Sequence, residues 1–183
     1  MPSRSDRTLD LARLAWPAEA DAASDSLEAN HYYMPDVRLA RWEDVDSVLT
    51  REREILPLLK AAPDAAAEWE VQNVRVNAEA DGVADEFFTS LDPGIASATL
   101  ALGAAGCIPF WSCNGGAFGG DHSSSQPIVK FFARPAHAEL LSTCAVRANV
   151  ELAQDEHGRC AIIAKDISAM RAFAVSMREY AAT

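Results

Sequence analysis

From Pro93 to Val129 the chain runs thirty-seven residues with one formally charged side chain, Asp121, and that stretch holds seven of the nine glycines. Solvated protein surface is normally interspersed with Lys, Glu, Arg and Asp, so a run without them is expected to be buried or to line a cleft or interface. Its centre, GCIPFWSCNGGAFGGDHSSSQPIVKFF (Gly106 to Phe132), is the segment around which the rest of the chain has to be arranged.

A chain of 183 residues, 49% of them hydrophobic, can bury a core without staples and fits one domain with an N-terminal extension. Residues 1–36 are expected to form a flexible or loosely docked arm and residues 37–183 a single α+β domain. The arm carries a short helical pattern, Asp6 to Trp16, then the small acidic stretch PAEADAASDSLEAN, which has too little apolar surface to offset its ordering entropy. The cluster HYYMP (His31 to Pro35) is placed to pin its end to the core.

The first residues carry charge throughout and no apolar run approaches membrane-spanning length, so a cytoplasmic protein without membrane association is expected. The four cysteines (Cys107, Cys113, Cys144, Cys160) form no CxxC pair and read as thiols of a reducing compartment. The formal net charge is −11, concentrated in residues 1–81, where nine Lys/Arg face seventeen Asp/Glu. Such a field repels phosphate backbones and argues against nucleic acid, while it suits a basic protein partner.

From Trp42 the apolar spacing predicts a helix with Val45, Val48, Leu49, Glu52 and Ile55 or Leu56 on one side, kinked or broken at Pro57, with Leu58 and Leu59 continuing into a short second piece that ends before Pro63. WEVQNVRVNA (Trp69 to Ala78) is rich in β-branched residues and reads as a strand with a bulge near Gln72 or Asn73. DGVADEFFTSL reads as a helix to Leu91, and Asp92-Pro93 as the N-cap and first turn of a small, apolar, buried helix through IASATLALGAAG. CIPFW and PIVKFFA are strands entering and leaving the central loop, and Pro135 opens a helix with Leu140, Leu141, Cys144 and Ala148 on its stripe. VELAQDEHGRCAIIA is a hairpin turning at Asp155 to Arg159, and Asp166 caps a closing helix. The expected fold is α+β: an antiparallel or mixed sheet of about five strands with helices mainly on one face.

Three chemical readings compete for SCNGGAFGGDH. In the plainest, the glycines supply positive φ and Cys113 is a small buried side chain. In the second, the loop is a contact surface without catalysis: Asn114, Gly115, Gly116, Gly119 and Gly120 shape it, and Phe110, Trp111 and Phe118 form an aromatic rim. With the acidic charge, that is the leading expectation, an acidic protein-binding module of the bacterial immunity or antitoxin kind that takes a basic partner. In the third, Cys113 is the nucleophile of a hydrolase or transferase, His122 its base, Asp121 the group that orients the imidazole, and the 114–120 backbone an anion hole. A metal set of Cys107, Cys113 and His122 with Cys144 or Cys160 has spacings unlike any common zinc module, and a phosphate cradle lacks its lysine, so neither a metal nor a cofactor is expected.

Overall fold

The structure, a computed structural model, describes residues 9–17, 37–79, 83–119 and 122–183. Its centre is the small-residue helix that the charge-free stretch begins with, numbered α4 here (Ala96–Ala104), in which every residue from Ala96 to Gly103 is buried. Alanine, serine and glycine leave little side-chain bulk, so neighbours come close on all sides. Those neighbours are α1 (Trp42–Ala61), α3 (Val83–Ser90), the closing helix α6 (Ile167–Tyr180) and the first strand, β1 (Ile108–Cys113).

Among the described residues the sheet has four antiparallel strands in the order β1-β2-β4-β3, with β2 at Ile128–Phe132, β3 at Glu151–Gln154 and β4 at Cys160–Ile163. One face, carrying Val129, Phe131, Cys160, Ile162 and Leu152, joins the helical core. The other presents the cross-strand row Trp111, Lys130, Ala161 and Ala153, from partly buried to exposed. Pro109 is tolerated because β1 is an edge strand, and the register shifts between Pro109 and Trp111, which places a bulge at Phe110. Helix α5 (Ala138–Ala148) carries the chain from β2 to β3, and α6 begins at Asp166, whose carboxylate accepts the N–H of Ala169 at 2.8 Å.

The architecture is the α+β arrangement expected, with one strand fewer. The segment Trp69 to Ala78 is helical, part of α2 (Ala65–Glu79), and the bulge expected near Gln72 does not exist. Gln72 and Val76 are buried and Trp69 meets Phe88 edge-on at 5.4 Å, a spacing of three, four and seven residues that belongs to a helix. Val71 and Val74, which suggested a strand, are 61% and 67% exposed. The helix starts upstream of the β-branched run, where the Asp64 carboxylate accepts the N–H of Ala67 ahead of a run of alanines.

Two further boundaries differ. Helix α1 continues through Pro57 without a break, since the apolar residues on both sides of it, Ile55, Leu56 and Leu59, are packed in one core. At the N-terminus the described part of the Asp6–Trp16 pattern is a single 3-10 turn, Leu11–Arg13, followed by chain without regular secondary structure. Residues 9–17 lie along the β3–β4 hairpin. The Asp10 N–H donates to Gln154 Oε1 at 2.8 Å, the Ala15 N–H to the carbonyl of Gly158 at 3.0 Å, and the Arg134 guanidinium stacks over Trp16 at 4.1 Å. Residues 18–36, with the His31–Pro35 cluster, lie outside the described residues. Among the described residues no helix is long and apolar enough to cross a membrane.

Candidate functional site

Cys113 is the last residue of β1, paired with Ile128 at the start of β2, so the chain between them has to leave the sheet and return to its neighbour. Asn114 makes the turn possible. Buried itself, it accepts the N–H of Gly116 on its side-chain oxygen at 3.1 Å and places its Nδ2 3.5 Å from the carbonyl of Pro93. Gly115 and Gly116 both have positive φ, +70° and +77°, where a side chain is strained. A Cβ on Gly115 would stand 2.5 Å from the carbonyl carbon of Gln126, and one on Gly116 would stand 3.0 Å from the His122 ring. The two glycines therefore let the outgoing loop close on its own return and seat the imidazole against the turn.

His122 faces Cys113 across that turn, Nδ1 to Sγ at 3.9 Å. Its Nε2 is hydrogen-bonded to the carbonyl of Gly119. A carbonyl only accepts, so in the neutral ring Nε2 carries the proton and Nδ1 presents its lone pair to the sulfur. The N–H of Gly115 also points at Cys113 Sγ, 3.4 Å away, a donor suited to a thiolate.

The third member is Asp92. Expected to cap a helix, it instead opens a turn through Ile95 that precedes α4 and sends its carboxylate to the N–H of Asn114 at 3.1 Å. A carboxylate oxygen of Asp92, Cys113 Sγ and a ring nitrogen of His122 all lie within 4.8 Å of one another. Sequence reasoning missed this residue because its only local signal, Asp before Pro, is that of a helix start. Twenty-one positions separate it from Cys113, and the fold of β1 onto α4 brings them together. The orienting role anticipated for Asp121 falls outside the described residues, as does Gly120. Among the described groups, the Gly119 carbonyl holds the imidazole.

The anticipated rim divides. Phe110, at the bulge, is 4% exposed and stacks with Phe132 at 4.8 Å, and Phe118 is 6% exposed within the core. Trp111 keeps partial exposure, with the Lys130 ammonium 4.5 Å over its ring.

The other cysteines do not join the site. Cys107 lies against His137, Sγ to Nδ1 at 3.5 Å, and burial, reinforced by the neighbouring Cys160, pushes its thiol up to about 12. Burial raises Cys160 to about 11, with Asp155 adding to it, and burial also raises Cys144. These three are packed thiols. Comparison with protein-family models, with curated proteins and with solved structures returned no match.

Proposed function

We propose that the protein is a thiol-dependent enzyme of hydrolase or transferase type acting through Cys113. The observation that carries this reading is the placement of His122, whose lone-pair nitrogen faces Cys113 Sγ while the Gly119 carbonyl holds the other nitrogen. His122 takes the thiol proton on Nδ1, and the thiolate, supported by the N–H of Gly115, attacks an electrophilic acyl carbon. The imidazolium then returns its proton to the leaving group. Water or a second acceptor, deprotonated by His122, releases the acyl group and restores the thiol. Asp92, brought beside the pair from the turn that precedes α4, supplies a negative charge near the imidazolium.

The test is an electrophilic acyl probe on the native chain with a panel of ester and thioester substrates. Turnover that is abolished in Cys113→Ala and reduced about a hundred- to ten-thousandfold in His122→Ala supports the reading. Turnover surviving Cys113→Ala sinks it.

A second reading, the acidic protein-binding module that takes a basic partner, is favoured by the 3% exposure of Cys113, which suits a structural thiol. Its remaining contact residue of the aromatic rim is Trp111. Under it Cys113→Ala leaves partner binding intact, and binding weakens steeply with salt.

A further inference from the structure

We infer that Asp92, Cys113 and His122 form a binding site for one soft divalent transition-metal ion of the zinc class, with a fourth coordination position left open. This goes beyond the thiol reading and stands on geometry that does not depend on it.

The donor set is the first argument. One thiolate, one imidazole and one carboxylate are the ligand types zinc takes, and three protein ligands with one open position is the arrangement of reactive rather than purely structural zinc sites. The charges close: a thiolate and a carboxylate carry two negative charges, the imidazole none, and a divalent ion neutralises the pair.

The distances are the second. Tetrahedral zinc with bonds of about 2.3 Å to sulfur and about 2.05 Å to nitrogen holds those two ligand atoms about 3.6 Å apart. Cys113 Sγ and His122 Nδ1 stand at 3.9 Å, so closing on an ion asks for a contraction of about 0.3 Å. All three ligand atoms already lie within 4.8 Å of one another, close enough for one ion to reach each of them.

The supporting contacts are the third. A metal-bound histidine ordinarily donates its other ring N–H to a carbonyl or carboxylate, and ligating anions are themselves hydrogen-bonded. Here each of the three has such a partner: Nε2 of His122 on the Gly119 carbonyl, the Gly115 N–H on Cys113 Sγ, and the Asn114 N–H on Asp92 Oδ2. The contacts come from backbone of the same turn, so the ligands are aimed before an ion arrives. Cys107 is not among the ligand atoms that share this neighbourhood and faces His137 instead.

Metal binding and thiol chemistry exclude one another at this site. The ion occupies the sulfur lone pair and the His122 Nδ1 lone pair that the proton transfer needs, and binding releases the Cys113 proton to solvent. A bound ion therefore switches off the nucleophile, and its removal switches it on.

The experiment is cobalt(II) titration of the reduced full-length chain, followed by zinc displacement. One equivalent of cobalt is expected to give a thiolate-to-cobalt charge-transfer band in the near ultraviolet and the intense visible bands of a four-coordinate ion, both erased by zinc. The bands are expected to persist in Cys107→Ser and to vanish in Cys113→Ser. Asp92→Asn keeps an acceptor for the Asn114 N–H, and it and His122→Ala are expected to weaken binding at least about tenfold, the scale on which even supporting contacts act. As a measurement free of any fold loss in variants, zinc is expected to slow alkylation of Cys113 in the unmodified protein while leaving Cys144 labelling unchanged. No charge-transfer band, or a band that survives Cys113→Ser, overturns the proposal. Fast alkylation of apo Cys113 with no cobalt band removes the metal and leaves the thiol enzyme standing. A cobalt band with an inert apo Cys113 does the reverse.

Discussion

His122 Nδ1 lies 3.9 Å from Cys113 Sγ across a turn whose own Gly119 carbonyl fixes the far side of the imidazole. The proton-accepting nitrogen is thus aimed at the sulfur by backbone nine residues or fewer away, with no second side chain needed to set the tautomer. Among the described residues Cys113 has a donor N–H and an imidazole nitrogen together, while burial holds Cys107, Cys160 and Cys144 above the ordinary thiol range. Site-resolved mass spectrometry after iodoacetamide treatment between pH 7 and 9 is expected to find Cys113 labelled first. Cys107, near 12, stays protonated throughout that window. Equal labelling of all four sites would show that the pair does not activate the sulfur.

Gly115→Ala tests the turn itself. The residue sits at φ +70° and its Cβ would stand 2.5 Å from backbone of Gln126, so the loop has to open. Positive φ at a non-glycine residue costs about 1–3 kcal/mol before any clash is counted. Chemical denaturation is expected to show at least that loss. Cys113 labelling in the folded variant is expected to fall toward the rate of the packed thiols, because the Gly115 N–H and the His122 ring both move away from the sulfur.

Glu52 offers a pH test away from the site. It is wholly buried on α1, accepts the N–H of Ser97 at 3.1 Å and its hydroxyl at 2.6 Å, and lies 3.9 Å from Arg171 Nε. Burial raises its carboxyl above the ordinary 4.5, against the opposing pull of Ser97 and Arg171. The folded state then keeps a proton that the unfolded chain has given up. The stability this contributes is full below pH 4.5 and is lost as pH rises through the folded value. Glu52→Gln removes the titration, so its stability relative to the unmodified protein is expected to improve steadily from pH 4.5 toward 7 in urea melts. Glu52→Ala, which strands the Ser97 donors and opens a cavity, is expected to cost about 3–5 kcal/mol.

Pro57 lies within α1 on its exposed side and takes away the N–H that would reach the carbonyl of Arg53. Pro57→Ala restores that donor and loosens the unfolded chain, two effects of opposite sign, the first larger. A gain of about 1–2 kcal/mol in denaturation experiments is the expected outcome, and a loss would mean that the proline ring itself packs against the core.

Much of the framework is local chemistry and was readable as such. The stripe Val45, Val48, Glu52, Ile55 on α1, the cap at Asp166 and the hairpin turning at Asp155 each follow from residues within a turn or two of one another. The charge-free run is expected to be buried or to line a cleft or interface; α4 is buried and β1 is buried to half-buried, while the loop after them exposes Ala117, Gly119, Ser123, Ser125 and Gln126. The run also drew attention to Cys113 and His122, since a thiol and an imidazole flanking a glycine turn stand out in a chain with few of either.

What required the tertiary structure was everything decided by contact between distant segments. Trp69 to Ala78 is β-branched enough to pass for a strand, and it is a helix because Trp69, Gln72 and Val76 pack as one face and Asp64 starts the turn upstream; propensity yields to burial when the difference per residue is a few tenths of a kcal/mol. Phe110 and Phe118 read as a rim and are both buried: Phe118 lies in the core, while Phe110, at the bulge of β1, packs against Phe132. Asp92 carries the local signature of a helix cap, yet β1 ends beside it, and the N–H of Asn114 takes its carboxylate. A sequence determines which residues have chemistry to offer and which stretches must be buried. Which of them share a 4.8 Å neighbourhood depends on how strands and helices dock, and here that docking added Asp92 to Cys113 and His122.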